Sequence, residues 1–115
     1  MNVKEIAAVL GARVAVGAEY LDRHIDCAGA CFLQSVILAR GDAGMLLVTG
    51  QLTPQTIHAC SLSDVTTVVL VRDSELTAEA HRLAINQGMV VLIVPDTLYD
   101  TCGKLYSAGL PGLRI

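Results

Sequence analysis

Three continuous runs that consist mainly of Leu and β-branched residues, referred to below as the aliphatic runs, most constrain what this chain can fold into. They are Met45–Thr49, Thr67–Val71 and Val90–Val94. Because they do not alternate between apolar and polar residues, both faces of each predicted strand must be buried, as in a sheet with helices on both sides. Helical segments separate the runs, and this order implies right-handed crossovers between parallel strands. The sequence therefore predicts an α/β layered domain with a mostly parallel central sheet flanked by helices.

Capping signals support this order of elements. The first helix is predicted over Val3–Leu10, where Asn2 and Glu5 resemble a capping box and Gly11 ends the helix.

The length of 115 residues predicts a single domain over residues 1–115. The other predicted elements are a half-buried strand in "ARVAVG", a polar connection in "EYLDRHI", a strand in "IDCAGACF" and helices at Leu33–Ala39, Pro54–Ser63, Leu76–Gln87 and Leu98–Ala108.

The low content of charged residues indicates which binding partners to expect. Apolar residues make up 53% of the chain and charged residues 17%, which argues against disorder. Because so little polar surface is available, we expect part of the surface to be buried against a second copy, in a homodimer. The net charge is −3 and the eight Lys and Arg residues are scattered, so the sequence lacks the clustered basic face that nucleic-acid binding needs.

Hydropathy predicts a cytoplasmic protein that does not enter a membrane. The longest aliphatic run, Met89–Val94, is far shorter than a membrane span. The segment "MNVKEIAAVLG" has neither a long apolar region nor a cleavage site of the kind found in signal peptides. In the cytoplasm the thiols are expected to be reduced.

Ligands of open α/β sheets bind at the carboxyl ends of the strands, so the residues that follow the three aliphatic runs are candidate contacts. Arg72 could bind a carboxylate or a phosphate, and Asp73 could orient a ribose hydroxyl. The candidate ligand-binding residues are Gly50, Gln51, Thr53, Arg72, Asp73, Asp96 and Thr97.

The stretch "LLVTGQLTPQT" has two interpretations. In the structural one, Gly50 permits a tight turn, Thr53 caps a helix and Pro54 takes its first position. In the functional one, the start of that helix binds an anion. We favour the structural interpretation, because neither GxxxxGK[ST] nor GxGxxG is present. Capping by Asp96 or Thr97 likewise explains "PDTLYDT".

Cysteines and histidines do not form a recognisable catalytic or metal-binding pattern. No CxxC pair occurs, and Cys27 and Cys31 would lie about 13 Å apart on one strand, too far to share a metal ion. Cys60 and Cys102 fall on apolar helix faces, which favours buried structural thiols. We therefore expect no catalytic residue, no metal site and no cofactor. A redox or metal role of the cysteines remains the alternative.

The three histidines are predicted to lie in separate elements. They are His24, His58 and His81, and they lack HxxxH or HExxH spacing. His58 and Cys60 are close in sequence, but two residues apart on a helix they point to different faces. A Cys–His nucleophile pair is therefore disfavoured.

The order of the segments resembles that of DRTGG domains over almost the whole chain. The resemblance lies in "KEIAAVLGARV", "GAEYLDRHIDCAGA", "LLVTGQLTPQT", "TTVVLV" and "QGMVVLIVPDTLYDTCGKLY". The segment Leu21–Arg23, followed by a strand and a short helix, carries it most strongly, and the last strand with "PDTLYDT" comes second. DRTGG domains are similar to the N-terminal domains of HPr kinase and of Mur ligases.

The resemblance implies a non-catalytic regulatory or interaction module that sits at a dimer interface. DRTGG domains accompany cystathionine-synthase-type nucleotide-sensing domains in some regulated pyrophosphatases and occur in some phosphate acetyltransferases. Stand-alone copies occur in anaerobes, some near iron-hydrogenase genes. The turn after "LLVTG" and the end of "TTVVLV" lack the namesake Asp-Arg and Gly-Gly pairs here, so no ligand site is transferred.

Two functions follow from the sequence. The first is a non-catalytic regulatory or protein-interaction module that forms a homodimer and could bind a further protein partner. The alternative is a sensor of a small ligand, a nucleotide or another anion, bound at the carboxyl ends of the strands.

Overall fold

A five-stranded sheet forms the centre of the computed structural model, which describes residues 1–30 and 34–113. The strands are β1 (Arg13–Val16), β2 (Cys27–Ala30), β3 (Met45–Thr49), β4 (Thr67–Leu70) and β5 (Val90–Ile93). Their spatial order is β1-β5-β4-β3-β2. The four strands β2 to β5 are parallel, and β1 pairs antiparallel with β5. The predicted mostly parallel α/β fold is confirmed.

Within the described residues, five α-helices cover the two faces of the sheet. They are α1 (Val3–Leu10), α2 (Gln34–Arg40), α3 (Pro54–Leu62), α4 (Ala78–Asn86) and α5 (Leu98–Ser107). Residues of α2, α3 and α4 pack in the apolar cluster on one face, and residues of α1 and α5 pack in the cluster on the other. The result is a three-layer sandwich.

The uninterrupted aliphatic runs follow from this layering. Along β3, Met45 and Leu47 contribute to the cluster with α2, α3 and α4, whereas Leu46 and Val48 contribute to the cluster with α1 and α5. All four side chains are buried. Successive side chains of a strand point to opposite faces, so a strand covered on both sides needs an apolar residue at every position.

Helix boundaries largely match the sequence expectation. The amide of Glu5 donates to Asn2 Oδ1 and the amide of Asn2 donates to Glu5 Oε1, each at 2.9 Å, so the predicted capping box is present. Helix α4 begins at Ala78 and not at Leu76, because Thr77 caps it by accepting from the amide of Ala80.

The strand predicted in "IDCAGACF" begins two residues later than expected, at Cys27. Its described part, β2, spans Cys27–Ala30. Cys31 and Phe32, which were expected to extend it, lie outside the described residues, as does Leu33, where the short second helix was expected to begin.

The outer edge of β2 is covered by a later segment of the same chain. The amide of Ala28 donates to Pro111 O at 2.9 Å, and the amide of Leu113 donates to Ala28 O at 3.0 Å. Exposed strand edges can pair with other chains, and this segment blocks that edge of the sheet.

Arg23 joins the amino ends of two central strands. Its guanidinium donates from Nη1 to Thr66 O and from Nη2 to Gly88 O, both at 3.0 Å. Thr66 directly precedes β4, and Gly88 lies two residues before β5. The guanidinium also lies 4.7 Å from the centroid of the Tyr20 ring, within the range of a cation–π contact.

Candidate functional site

A cleft of about 790 Å³ opens at the carboxyl edge of the sheet, where β3, β4 and β5 end. This volume is within the range of small-molecule sites. Its lining residues come from the three loops that follow these strands and from the helix starts beyond them: Gly50, Gln51, Leu52, Thr53, Pro54, Val71, Arg72, Ser74, Glu75, Thr77, Thr97, Leu98 and Tyr99.

Hydrogen bonds fix the three loops to one another. Ser74 Oγ donates to Gly50 O at 3.0 Å and so ties the loop after β4 to the loop after β3. The amide of Arg72 donates to Asp96 O and the amide of Asp73 donates to Val94 O, both at 2.8 Å, and these bonds tie the same loop to the segment after β5. The walls of the cleft are therefore held in place without a ligand.

The loop after β4 has an unusual backbone. Arg72 and Asp73 both lie in the left-handed region, with φ of 57° and 52°. Residues other than glycine seldom adopt this region, and strained backbone of this kind is concentrated at functional sites. The two hydrogen bonds that the amides of Arg72 and Asp73 donate maintain this conformation. It sets the direction in which the Arg72 side chain leaves the loop.

Three helices direct their amino ends toward the cleft, and a threonine caps each of them. Thr53 Oγ1 accepts from the amide of Thr56 at 3.2 Å, which confirms the predicted cap of α3. Thr77 caps α4 and Thr97 caps α5 in the same way. Each threonine satisfies one of the amides that lack an intrahelical partner, and the remaining amides of the first turn keep their partial positive charge.

Among the described residues, the charged lining of the cleft consists of one cation and one anion, Arg72 and Glu75. Within residues 1–30 and 34–113, no side chain forms an ion pair with Arg72. Because the two side-chain charges cancel, any positive potential in the cleft must come from the three helix starts. Each of these carries roughly half an elementary charge.

An exposed aromatic ring forms part of the cleft wall. The Tyr99 side chain lies at the second position of α5 and is 86% exposed. Leu52, Pro54 and Leu98 line the same cleft. The lining thus combines apolar and aromatic side chains with the guanidinium of Arg72.

The structure brings five of the seven candidate residues together in the lining of this cleft: Gly50, Gln51, Thr53, Arg72 and Thr97. It does not bring in the other two. Asp96 Oδ2 accepts from Lys104 Nζ at 2.6 Å, in a shallower depression beside Val9 and Tyr99. Asp73 is exposed and lies outside the lining of the cleft.

Eight of the thirteen lining residues were not among the sequence candidates, and three of these eight, Glu75, Thr77 and Tyr99, bear on ligand binding. Thr77 could have been found from its position directly before Ala78-Glu79-Ala80, where a threonine is a good cap. Tyr99 lies five residues after the last residue of the run Val90–Val94. An aromatic residue that close to the carboxyl end of a strand could have been chosen as a candidate ligand contact. Glu75 carries no comparable signal.

The described cysteines have the properties of structural thiols. Burial raises the pKa of the Cys27 thiol, and the nearby carboxylates of Asp42 and Asp26 raise it further. Burial also raises the pKa of the Cys102 thiol. Cys60 is fully buried in the cluster that contains α2, α3 and α4. Since the thiolate is the reactive form, raised pKa values make Cys27 and Cys102 poor nucleophiles at neutral pH.

The prediction that His58 and Cys60 point to different faces of their helix is confirmed, since His58 is exposed and Cys60 is buried.

In the part of the chain that the structure describes, no three His, Cys, Asp or Glu residues are grouped so that they could hold a metal ion. Among the described helices, none has both the length and the apolar character needed to cross a bilayer.

Comparison with solved structures gives a neighbour that shares the fold. It is the regulatory region, with its CBS and DRTGG domains, of a pyrophosphatase from Clostridium perfringens, in complex with the activator diadenosine tetraphosphate. The match covers 96% of this chain with a TM-score of 0.71 and a sequence identity of 13%. The chain spans about half of that protein's chain, 47%. At this identity the likeness establishes a shared fold.

Comparison by sequence gives no assignment. No protein-family model matches the chain, and no curated protein matches it.

Proposed function

We propose that this chain is a non-catalytic regulatory module of the DRTGG type that senses a small anionic ligand in the cleft at the carboxyl edge of the sheet. The observation that carries the proposal is the convergence on one cleft of about 790 Å³ of three helix starts and of Arg72, which has no ion-pair partner among the described residues. We further propose that residues 1–115 act as one domain, in the cytoplasm.

The shared fold supports this proposal. The pyrophosphatase neighbour is a regulatory region, and it was solved with a nucleotide activator. In the present chain the loops around the cleft are already tied together by the bonds from Ser74, Arg72 and Asp73. A site that is ordered before its ligand arrives loses little conformational entropy on binding.

A thermal-shift screen of phosphate metabolites tests this function. A ligand that binds the folded chain, present at 100 times its dissociation constant, should stabilise it by about 2.7 kcal/mol. For a domain of this size we expect each kcal/mol to raise the melting temperature by about 3–6 °C. Arg72→Asn should lower the shift by about half or more, because asparagine tolerates the left-handed backbone but removes the cation, and a tenfold loss of affinity has that effect at this ligand concentration.

The matched control is Arg82→Gln, which removes an exposed cation from α4 outside the cleft. This variant should keep the full shift. If no compound of the panel raises the melting temperature of the unmodified chain, the sensing proposal is wrong.

We also propose that the module forms a homodimer, and an exposed apolar groove between α2 and α3 favours this. Leu38 and Leu62 are 50% and 64% exposed, and with Pro54, His58 and Ala59 they line a depression of about 410 Å³. Helix α3, "PQTIHACSL", contains no Asp, Glu, Lys or Arg. Apolar, charge-depleted surfaces are typical of homodimer interfaces.

Light scattering coupled to gel filtration measures the oligomeric state. A specific dimer buries on the order of 1,200 Å² or more in total, and we expect one at micromolar concentration. Leu62→Asp should give a monomer of unchanged melting behaviour at low concentration, whereas Ile85→Asp on the exposed side of α4 should remain dimeric. An unmodified chain that stays monomeric at high micromolar concentration would contradict the proposal.

A further inference from the structure

Two chemically different sets of groups line the cleft at the carboxyl edge, and their combination narrows the class of ligand. One set is apolar and comprises the Tyr99 ring with Leu52, Pro54 and Leu98. The other comprises Arg72 and the backbone amides at the capped starts of α3, α4 and α5. A simple anion such as phosphate would use only the second set.

Tyr99 has the properties of a stacking platform. Its side chain is 86% exposed, although it belongs to the apolar set that lines the cleft. The same ring also lines the adjacent depression that contains Asp96 and Lys104, so it lies between the cleft and that depression. A ring in this position offers a face to a planar aromatic group, and stacking of a nucleobase on an aromatic side chain tolerates any base.

Arg72 has the properties of a phosphate contact. It is exposed, its backbone is held in the left-handed region, and its amide donates to Asp96 O at 2.8 Å. In the described chain its guanidinium has no carboxylate partner. A guanidinium can bind phosphate oxygens through two parallel hydrogen bonds, which makes arginine well suited to recognise a phosphate.

We infer that the ligand of the cleft is a nucleotide, with its base stacked on Tyr99 and its phosphates bound by Arg72. This inference rests on the proposed sensing function and specifies the chemistry of the same site. The position of Glu75 on the lining agrees with it, because a carboxylate accepts hydrogen bonds from ribose hydroxyl groups but repels a phosphate. The base contact comes from α5, and the phosphate contact comes from the loop after β4.

Isothermal titration calorimetry with four probes separates base from phosphate recognition. The probes are ATP, GTP, adenosine and inorganic tripolyphosphate. We expect at least one of the two nucleotides to bind about tenfold or more tightly than tripolyphosphate, since stacking of one base adds an effect of that order. Tyr99→Leu should remove this advantage and leave tripolyphosphate binding unchanged, and leucine at that position preserves the helix.

The matched control is Tyr106→Leu, which removes a tyrosine that is 76% exposed on the same helix but lies outside the lining of the cleft. It should leave all affinities unchanged. Arg72→Asn should weaken both nucleotide and tripolyphosphate binding at least tenfold.

The outcomes also distinguish this inference from the proposed function. If tripolyphosphate binds as tightly as both nucleotides and Tyr99→Leu has no effect, the nucleotide inference is wrong, while anion sensing stands. If a nucleotide binds but Tyr99→Leu and Tyr106→Leu weaken it equally, the assignment of the stacking residue is wrong. If none of the four probes binds and the metabolite panel gives no shift either, both proposals fail.

Discussion

Replacing Gly17 with alanine is expected to lower the free energy of unfolding by about 4 kcal/mol, from an overpacking penalty and a strained backbone together. Gly17 follows β1 and has φ of 87°, a conformation that side-chain-bearing residues rarely adopt. A Cβ atom there would lie 2.9 Å from Val90 Cα and would overlap Met89 O. Both obstacles are backbone atoms at or directly before the start of β5, an interior strand of the sheet, so they cannot move aside without disturbing the sheet.

Gly11→Ala is the matched control. Gly11 also has a positive φ, 61°, but no heavy atom lies within 4 Å of the position its Cβ would take. In this variant only the strain of the left-handed backbone lowers the free energy of unfolding, by about 1–2 kcal/mol. Urea unfolding of both variants measures the difference. Equal losses would show that the close approach of β5 to Gly17 contributes nothing, and the steric argument would then be wrong.

The aliphatic runs were sufficient to predict the layered fold. Leu46 and Val48 face one apolar cluster while Met45 and Leu47 face the other, and only a sheet with helices on both sides buries all four. Helix starts were predictable as well where a capping residue stands before the apolar stripe, as at Asn2 and Thr53. These features depend on residues that are close together in the sequence, so they can be predicted from it.

The position of β1 could not be predicted, because it depends on contacts between distant residues. Arg13 pairs with Ile93, so the strand that comes first in the chain lies at the edge beside the last one and runs antiparallel to it. The pattern of "ARVAVG" indicates a half-buried strand but contains nothing that selects an edge or a direction. The start of α4 was misplaced because Leu76 extends the apolar stripe beyond the cap at Thr77.

The candidate site was predictable to the extent that topology determines it. Parallel strands end at one edge of the sheet, and the loops after β3, β4 and β5 therefore share the cleft. Which side chains enter the cleft depends on backbone angles that the sequence does not reveal. Arg72 and Asp73 are adjacent and both left-handed, yet only Arg72 lines the cleft.

The second large effect is expected at Arg23, where alanine should lower the free energy of unfolding by about 3 kcal/mol. The guanidinium donates one hydrogen bond to Thr66 O and one to Gly88 O, each at 3.0 Å, in a partly buried setting. Hydrogen bonds from charged groups contribute about 1.5–3 kcal/mol each, and we use the lower value because Arg23 is partly exposed. The segment "LDR" thus has a structural role, since it joins the amino ends of β4 and β5.

Two further variants separate this role from a general effect of charge. Arg23→Lys keeps the positive charge but lacks the planar fork that reaches two carbonyls at once, so it should recover no more than about half of the loss. Arg82→Ala removes an exposed arginine from α4 and should change the free energy of unfolding by less than about 0.5 kcal/mol. The three values come from urea unfolding at one pH. If Arg23→Lys is as stable as the unmodified chain, charge alone accounts for the effect, and the two-carbonyl contact is not what holds the strand ends together.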